Sequence, residues 1–82
     1  MSKLVQYFLE EKEKLDKECH AFIEYNKTHS REDTIKYANK IRNDFRYVWT
    51  LNPYDNASAN EIKNYMMSIL LEFKYIVEGR KW

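Results

Sequence analysis

The sequence predicts an all-α protein with the architecture of a three-helix antiparallel bundle and a long first helix. In three segments, apolar residues recur at steps of three and four, which is the spacing of one helix face. The 82 residues include a single glycine and a single proline, so the strongest helix breakers are confined to two places. No stretch of four or more residues alternates polar and apolar side chains as a half-buried strand does.

The first helix is predicted over residues 3–26. Ser2 is a suitable N-cap, because a serine hydroxyl accepts a hydrogen bond from a free amide of the first helical turn. The inward positions follow one helical face: Leu4, Phe8, Leu15, Cys19 and Phe22. Further apolar side chains lie on both sides of that face: Val5, Tyr7, Leu9, Ile23 and Tyr25. Together they widen the apolar arc to about 200°, which suits a helix packed between two others or against a second copy of the chain.

The second helix is predicted over residues 31–49. Ser30 can cap it, and acidic residues in its first turn, among them Asp33, complement the helix dipole. The apolar positions expected to face the core are Ile35, Ala38, Ile41, Phe45, Val48 and Trp49. We expect the helix to end before Pro53, because proline fixes its own φ angle and biases the preceding residue away from helix.

The third helix is predicted over residues 59–78 and has the clearest start signal. Ser58 and Glu61 have the spacing of a capping box, in which each side chain binds a backbone amide near the other residue. The inward positions are Ile62, Met66, Ile69, Leu70, Phe73, Ile76 and Val77. Gly79 stands where a glycine commonly ends a helix.

Length and composition limit the class of protein. The 82 residues leave room for a single helical domain, residues 1–82, and for no second core. The longest stretch without a charge, residues 48–54, is far shorter than the roughly 20 apolar residues of a membrane span. The first residues lack the pattern of a signal peptide, and the single Cys19 cannot form an intramolecular disulfide. We therefore expect a cytoplasmic protein.

No group of residues has the spacing of a catalytic or metal-binding motif. One cysteine and two histidines do not have the defined spacings of zinc ligands, such as C-x2-C with H-x3-H. Cys19 and His20 are consecutive, so on a helix their side chains point about 100° apart and are poorly placed for a catalytic pair. Because Gly79 is the single glycine, a glycine-rich phosphate loop is excluded. We expect a protein that is not an enzyme and that uses no metal or cofactor.

A stripe of polar residues on the second helix is predicted to face away from the core. This secondary basic stripe consists of Lys36, Lys40, Asn43, Arg46 and Tyr47. Cations interleaved with an aromatic side chain contact phosphates and stack on bases, but a solvated helix face has the same composition. A formal net charge of +1 lacks the excess expected of a dedicated nucleic-acid-binding protein. Nucleic-acid binding is therefore the alternative function.

An apolar strip on the third helix is also predicted to face away from the core. Met67, Leu71 and Tyr75 follow one another at a spacing of four, about 120° or more from the core axis. Apolar residues inside a charged rim are typical of a protein contact surface. The rim residues are Lys63, Lys74 and Glu78. The other interpretation is that the first helix or Trp82 covers the strip.

The leading hypothesis is a small non-enzymatic regulatory or inhibitor protein that docks on another protein through the apolar strip. We also expect a homodimer, because so small a domain gains stability from self-association. Lysine, asparagine, tyrosine and isoleucine are abundant, and their A/T-rich codons indicate a low-GC bacterium or its phage. The size and helical layout are similar to those of small phage-encoded inhibitors and bacteriocin immunity proteins, a likeness of architecture alone. A structural component of a larger assembly is a third hypothesis.

Overall fold

The computed structural model describes residues 2–79, and every regular element in that range is a helix. In chain order the elements are α1 (Lys3–Thr28), α2 (Arg31–Asp44), a short 3₁₀ helix (Arg46–Thr50) and α3 (Ala57–Val77). The prediction of an all-α protein with three α-helices is confirmed. None of these helices combines the length and the apolarity needed to cross a membrane. Trp82, considered as a cover for the apolar strip, lies outside the described residues.

The first two helices begin where their cap residues predict. The Ser2 hydroxyl accepts from the Val5 amide at 3.2 Å, and the Ser30 hydroxyl accepts from the Asp33 amide at 3.1 Å. These bonds satisfy amides that have no partner within the helix. Both N-cap predictions are confirmed, and α1 continues to Thr28, slightly beyond its predicted end.

The start of α3 differs from the prediction. Its N-cap is Asn56, whose side-chain oxygen accepts from the Ala59 amide at 3.1 Å. A turn places Asn56 in this position, because its own amide donates to the Pro53 carbonyl at 2.9 Å. Ser58 therefore lies inside the helix and does not cap it. At the other end Gly79 has a φ of +76°, the left-handed conformation of a glycine that follows a helix, as predicted.

The largest difference from the prediction is the end of α2. The α-helix ends at Asp44 instead of Trp49, and the chain tightens into the 3₁₀ helix. Phe45 has φ −110° and ψ 14°, and its carbonyl accepts from the Val48 amide at 3.1 Å. A 3₁₀ helix has three residues per turn, so its side chains point in directions that α-helical spacing does not predict. Val48 stays in the core, whereas Trp49, expected to face inward, is 45% exposed.

The core forms where the three helices meet. Its buried members are Leu15, Phe22, Ala38, Ile41, Phe45, Val48, Met66, Leu70 and Phe73. The ring of Phe22 packs edge-on against Phe73, with 5.0 Å between the ring centroids. Cys19 is half-buried against this core, and burial raises the pKa of its thiol to about 11. The prediction that Leu4 faces inward is wrong, because its side chain is 42% exposed in the first turn of α1.

Polar contacts show the relative direction of α1 and α2. The Tyr37 hydroxyl of α2 donates to Glu18 of α1 at 3.2 Å. The Tyr47 hydroxyl of the 3₁₀ helix donates to Glu11, which lies nearer the start of α1. Moving forward along α2 therefore means moving backward along α1.

We expect Phe45→Ala and Phe73→Ala each to lower the free energy of unfolding by about 3–5 kcal/mol, because both side chains are buried and truncation leaves a cavity. Urea unfolding followed by circular dichroism measures the loss. Leu4→Ala is the control, since that side chain is partly exposed and its loss should change the free energy by less than about 1 kcal/mol. A loss below about 1 kcal/mol at both phenylalanines would contradict the packing described above.

Candidate functional site

A groove opens between α2, the 3₁₀ helix and the second half of α3. We call it the α2–α3 groove, and its lining residues are Arg42, Asn43, Arg46, Trp49, Leu70, Leu71 and Lys74. Its volume of about 230 Å³ is below the roughly 300–1,000 Å³ of typical small-molecule sites. The groove therefore has room for one or two side chains of a partner rather than for a drug-sized ligand.

Three cations and no carboxylate line the groove. Arg42 and Arg46 lie four positions apart on one wall, and Lys74 lies on α3. Within residues 2–79, none of the three has a carboxylate oxygen within 4.0 Å. Two other cations of α2, Lys36 and Lys40, do pair with acidic residues, at 3.7 Å and 2.9 Å. Arg42 of α2, Arg46 of the 3₁₀ helix and Lys74 of α3 therefore bring uncompensated positive charge together at the groove.

Two large apolar side chains are exposed beside these cations. Trp49 is 45% exposed and Leu71 is 37% exposed, and both line the groove. The adjacent Leu70 is buried and connects the groove to the core. Scattered apolar side chains are ordinary on a protein surface, but an indole and a leucine on one concave surface are typical of a binding site.

The predicted apolar strip does not form one exposed surface. Leu71 lines the groove, but Met67 packs against the core and Tyr75 is half-buried. Lys63, expected on the rim, is buried, and its ammonium group donates to the Leu51 carbonyl. The cause is that α3 contacts both other helices and the 3₁₀ helix, so its covered arc is wider than that of a peripheral helix.

The secondary basic stripe is divided as well. Asn43 and Arg46 line the groove, whereas Lys36 and Lys40 form their ion pairs outside it. Tyr47 does not lie on the stripe, because the 3₁₀ helix directs its hydroxyl toward α1. The structure thus brings part of the basic stripe together with one member of the apolar strip.

Sequence reasoning misses two groove residues, Arg42 and Trp49, and identifies Lys74 as a rim residue of the strip. One signal was present: Arg42, Arg46 and Trp49 follow one another at steps of four and three, which is the spacing of one helix face.

The hydrogen bond from Tyr47 to Glu11 holds the 3₁₀ helix against α1. The Glu11 side chain is 10% exposed and also pairs with Lys14 at 2.8 Å. Burial raises the pKa of Glu11, but the hydrogen bonds from Lys14 and Tyr47 outweigh burial and hold that pKa below its ordinary value. Burial and the Glu11 carboxylate raise the pKa of the Tyr47 hydroxyl, which therefore stays protonated as a donor. This contact fixes the segment that carries Arg46 and Trp49.

A second concavity lies on the other side of α2, against α1. We call it the acidic cleft, and its lining residues are Glu11, Lys14, Glu18, Asp44, Phe45 and Tyr47. Three of these are carboxylates and one is a lysine. Helix α2 therefore separates a basic groove from an acidic cleft.

No family model matches this chain, and no curated protein or solved structure matches it. In the part of the chain that the structure describes, no group of three or more His, Cys, Asp or Glu side chains is placed to hold a metal ion. The α2–α3 groove is therefore the basis for the functional proposal.

We expect Glu11→Gln to remove part of the acid sensitivity of the fold. The pKa of Glu11 is lower in the folded chain than its ordinary value of 4.5, so its contribution to stability is present above that pH. This contribution to stability is lost as the pH falls through the pKa that Glu11 has in the folded chain. The variant should be less stable than wild type at neutral pH, and the two should converge as the pH falls below 4.5.

Urea unfolding at a series of pH values measures this convergence. Glu13→Gln is the matched control, because the side chain of Glu13 is 69% exposed and its oxygen lies 3.7 Å from Lys17. That variant should follow the wild-type pH profile closely. A constant difference between wild type and Glu11→Gln at all pH values would show that the ionised Glu11 does not stabilise the fold.

Proposed function

We propose that the chain is a small non-enzymatic regulatory or inhibitor protein, a three-helix antiparallel bundle that docks on another protein through the α2–α3 groove. One observation carries this proposal: Trp49 and Leu71 are exposed beside three cations on one concave surface. Interfaces are enriched in aromatic side chains and arginine, and tryptophan and arginine are common among the residues whose truncation weakens binding most. The groove has this composition.

The groove residues are carried by elements that the core holds in place. Val48 of the 3₁₀ helix is fully buried, and its neighbour Tyr47 is bonded to Glu11 of α1. The segment that carries Arg46 and Trp49 is thus attached at two points. A pre-formed site loses less conformational entropy on binding, which supports a role of the groove in recognition.

Nucleic-acid binding is the second candidate function, and the observation in its favour is that Arg46 and Trp49 line the same groove. An arginine beside an exposed indole can contact a phosphate while the indole stacks on a base. Salt distinguishes the two functions. Nucleic-acid affinity falls steeply with salt because counterions are released, whereas docking on apolar side chains responds weakly.

We expect Leu71→Glu to abolish capture of the protein partner from a nuclease-treated lysate of the source organism. The substitution removes an apolar contact and places a carboxylate among the groove cations. Affinity capture followed by mass spectrometry compares the variant with wild type. Leu4→Glu is the matched control, because Leu4 is 42% exposed, close to the 37% of Leu71, and lies outside the groove.

The control should capture the same proteins as wild type, and circular dichroism should show that both variants are folded. Equal capture by wild type and Leu71→Glu would exclude the groove as the docking site.

Self-association is proposed through α1, which exposes several large apolar side chains. Leu9 and Ile23 lie on one side of this helix and are 39% and 55% exposed. We expect a homodimer at micromolar concentration, and we expect Leu9→Glu to convert it to a monomer. Sedimentation equilibrium measures both, with Leu4→Glu as the control that should stay dimeric. A wild-type monomer across this range would contradict the homodimer.

A further inference from the structure

We infer that the occupant of the α2–α3 groove is an acidic protein segment that inserts one apolar side chain between Trp49 and Leu71. The inference rests on the proposed function, because it names the partner chemistry of the same site. Three properties of the groove support it: the sign of its charge, its size, and the arrangement of its cations.

The charge of the groove favours a negative partner. Arg42 and Arg46 lie four positions apart, and Lys74 lines the groove from α3, so three like charges share one concave surface. No carboxylate of residues 2–79 lies within 4.0 Å of these groups. A partner carboxylate would relieve their repulsion and accept paired hydrogen bonds from a guanidinium group.

The size of the groove favours a single apolar anchor. Its volume of about 230 Å³ has room for one or two side chains and not for a longer apolar segment. Leu70 and Leu71 supply apolar contacts from α3, and Trp49 supplies an exposed indole from the 3₁₀ helix. An apolar side chain that enters between them is desolvated on both sides, and anchors of this kind contribute most of the affinity at many interfaces.

The arrangement of the cations favours a short acidic segment over a nucleic acid. A single strand of nucleic acid needs a positively charged path that follows several phosphates. On α2 that path is interrupted, because Lys36 and Lys40 are already paired with Glu32 and Asp44. The uncompensated cations instead surround one pocket, as expected for carboxylates on either side of an apolar anchor.

The acidic cleft of a second copy has the right charge but lacks the anchor. Its apolar side chains are Phe45, which is 6% exposed, and Tyr47, which is bonded to Glu11. Neither can leave its own fold to enter the groove of a neighbouring molecule. The acidic cleft of a second copy is therefore not the occupant, and we assign the acidic segment to the protein partner of the proposed function.

The test uses the full chain with Trp82→Phe, so that Trp49 is its single tryptophan. This protein is titrated with a short synthetic peptide in which glutamates and aspartates flank one leucine. Two matched peptides carry either glutamine and asparagine in place of the acids or serine in place of the leucine. An oligothymidylate of equal charge is the fourth probe. We expect a saturable shift of Trp49 emission to shorter wavelength with the acidic leucine peptide, and weaker binding of the other three probes.

Substitutions in the groove show whether its cations hold the peptide. Arg42→Gln and Arg46→Gln should each raise the Kd about tenfold, the effect of losing one charge-assisted hydrogen bond. Lys36→Gln and Lys40→Gln are the matched controls, because these cations lie on the same helix but are already paired. Their Kd should stay within about twofold of wild type.

The inference is overturned if the acidic leucine peptide gives no saturable shift, or if the peptide without acids binds equally well. Tighter binding of oligothymidylate would also overturn it and would assign the groove to a phosphate chain. The proposed function is judged separately by capture from the lysate. If Leu71→Glu loses the partner but Arg42→Gln and Arg46→Gln retain it, docking stands and the acidic occupant is wrong. If the peptide binds but capture does not depend on Leu71, the docking proposal fails.

Discussion

Two contacts hold the segment that carries Arg46 and Trp49: the hydrogen bond from Tyr47 to Glu11 of α1 and the burial of Val48 in the core. With Val48 in the core, Trp49 is left at the surface. An α-helix continued through this segment places Trp49 on the inward face instead. The Glu11 carboxylate accepts from Tyr47 and pairs with Lys14, so its nearly buried charge is compensated and the contact is stable at neutral pH.

Features that depend only on residues close together in the sequence could be predicted. Ser2 and Ser30 cap their helices as expected, since an N-cap bond spans three residues. The end of α2 could not be predicted in this way, because the 3₁₀ helix is held by Glu11, which is distant in sequence from Tyr47. The start of α3 was missed for a more local reason. Asn56 and Ser58 are both good caps, and the turn after Pro53 decides between them.

The candidate site was predicted in parts, because helical spacing describes one helix at a time. It identified Leu71 on the third predicted helix and Arg46 on the second as members of two separate surfaces. The groove exists only where these surfaces meet, and the angle between the helices cannot be obtained from either segment alone. The same limit explains why Met67 and Lys63 were predicted to be exposed but are covered. The residues that cover them belong to other segments, which the spacing of α3 does not reveal.

The separation of charge across α2 has a consequence for association. Three cations line the α2–α3 groove on one side of this helix, and three carboxylates and one lysine line the acidic cleft on the other, so the local charge changes sign across it. If the partner is acidic, as proposed, its field attracts the groove and repels the cleft before any side chains touch. A larger share of encounters with such a partner would then begin with the groove foremost. Orientation of this kind raises the association rate without adding a contact to the final complex.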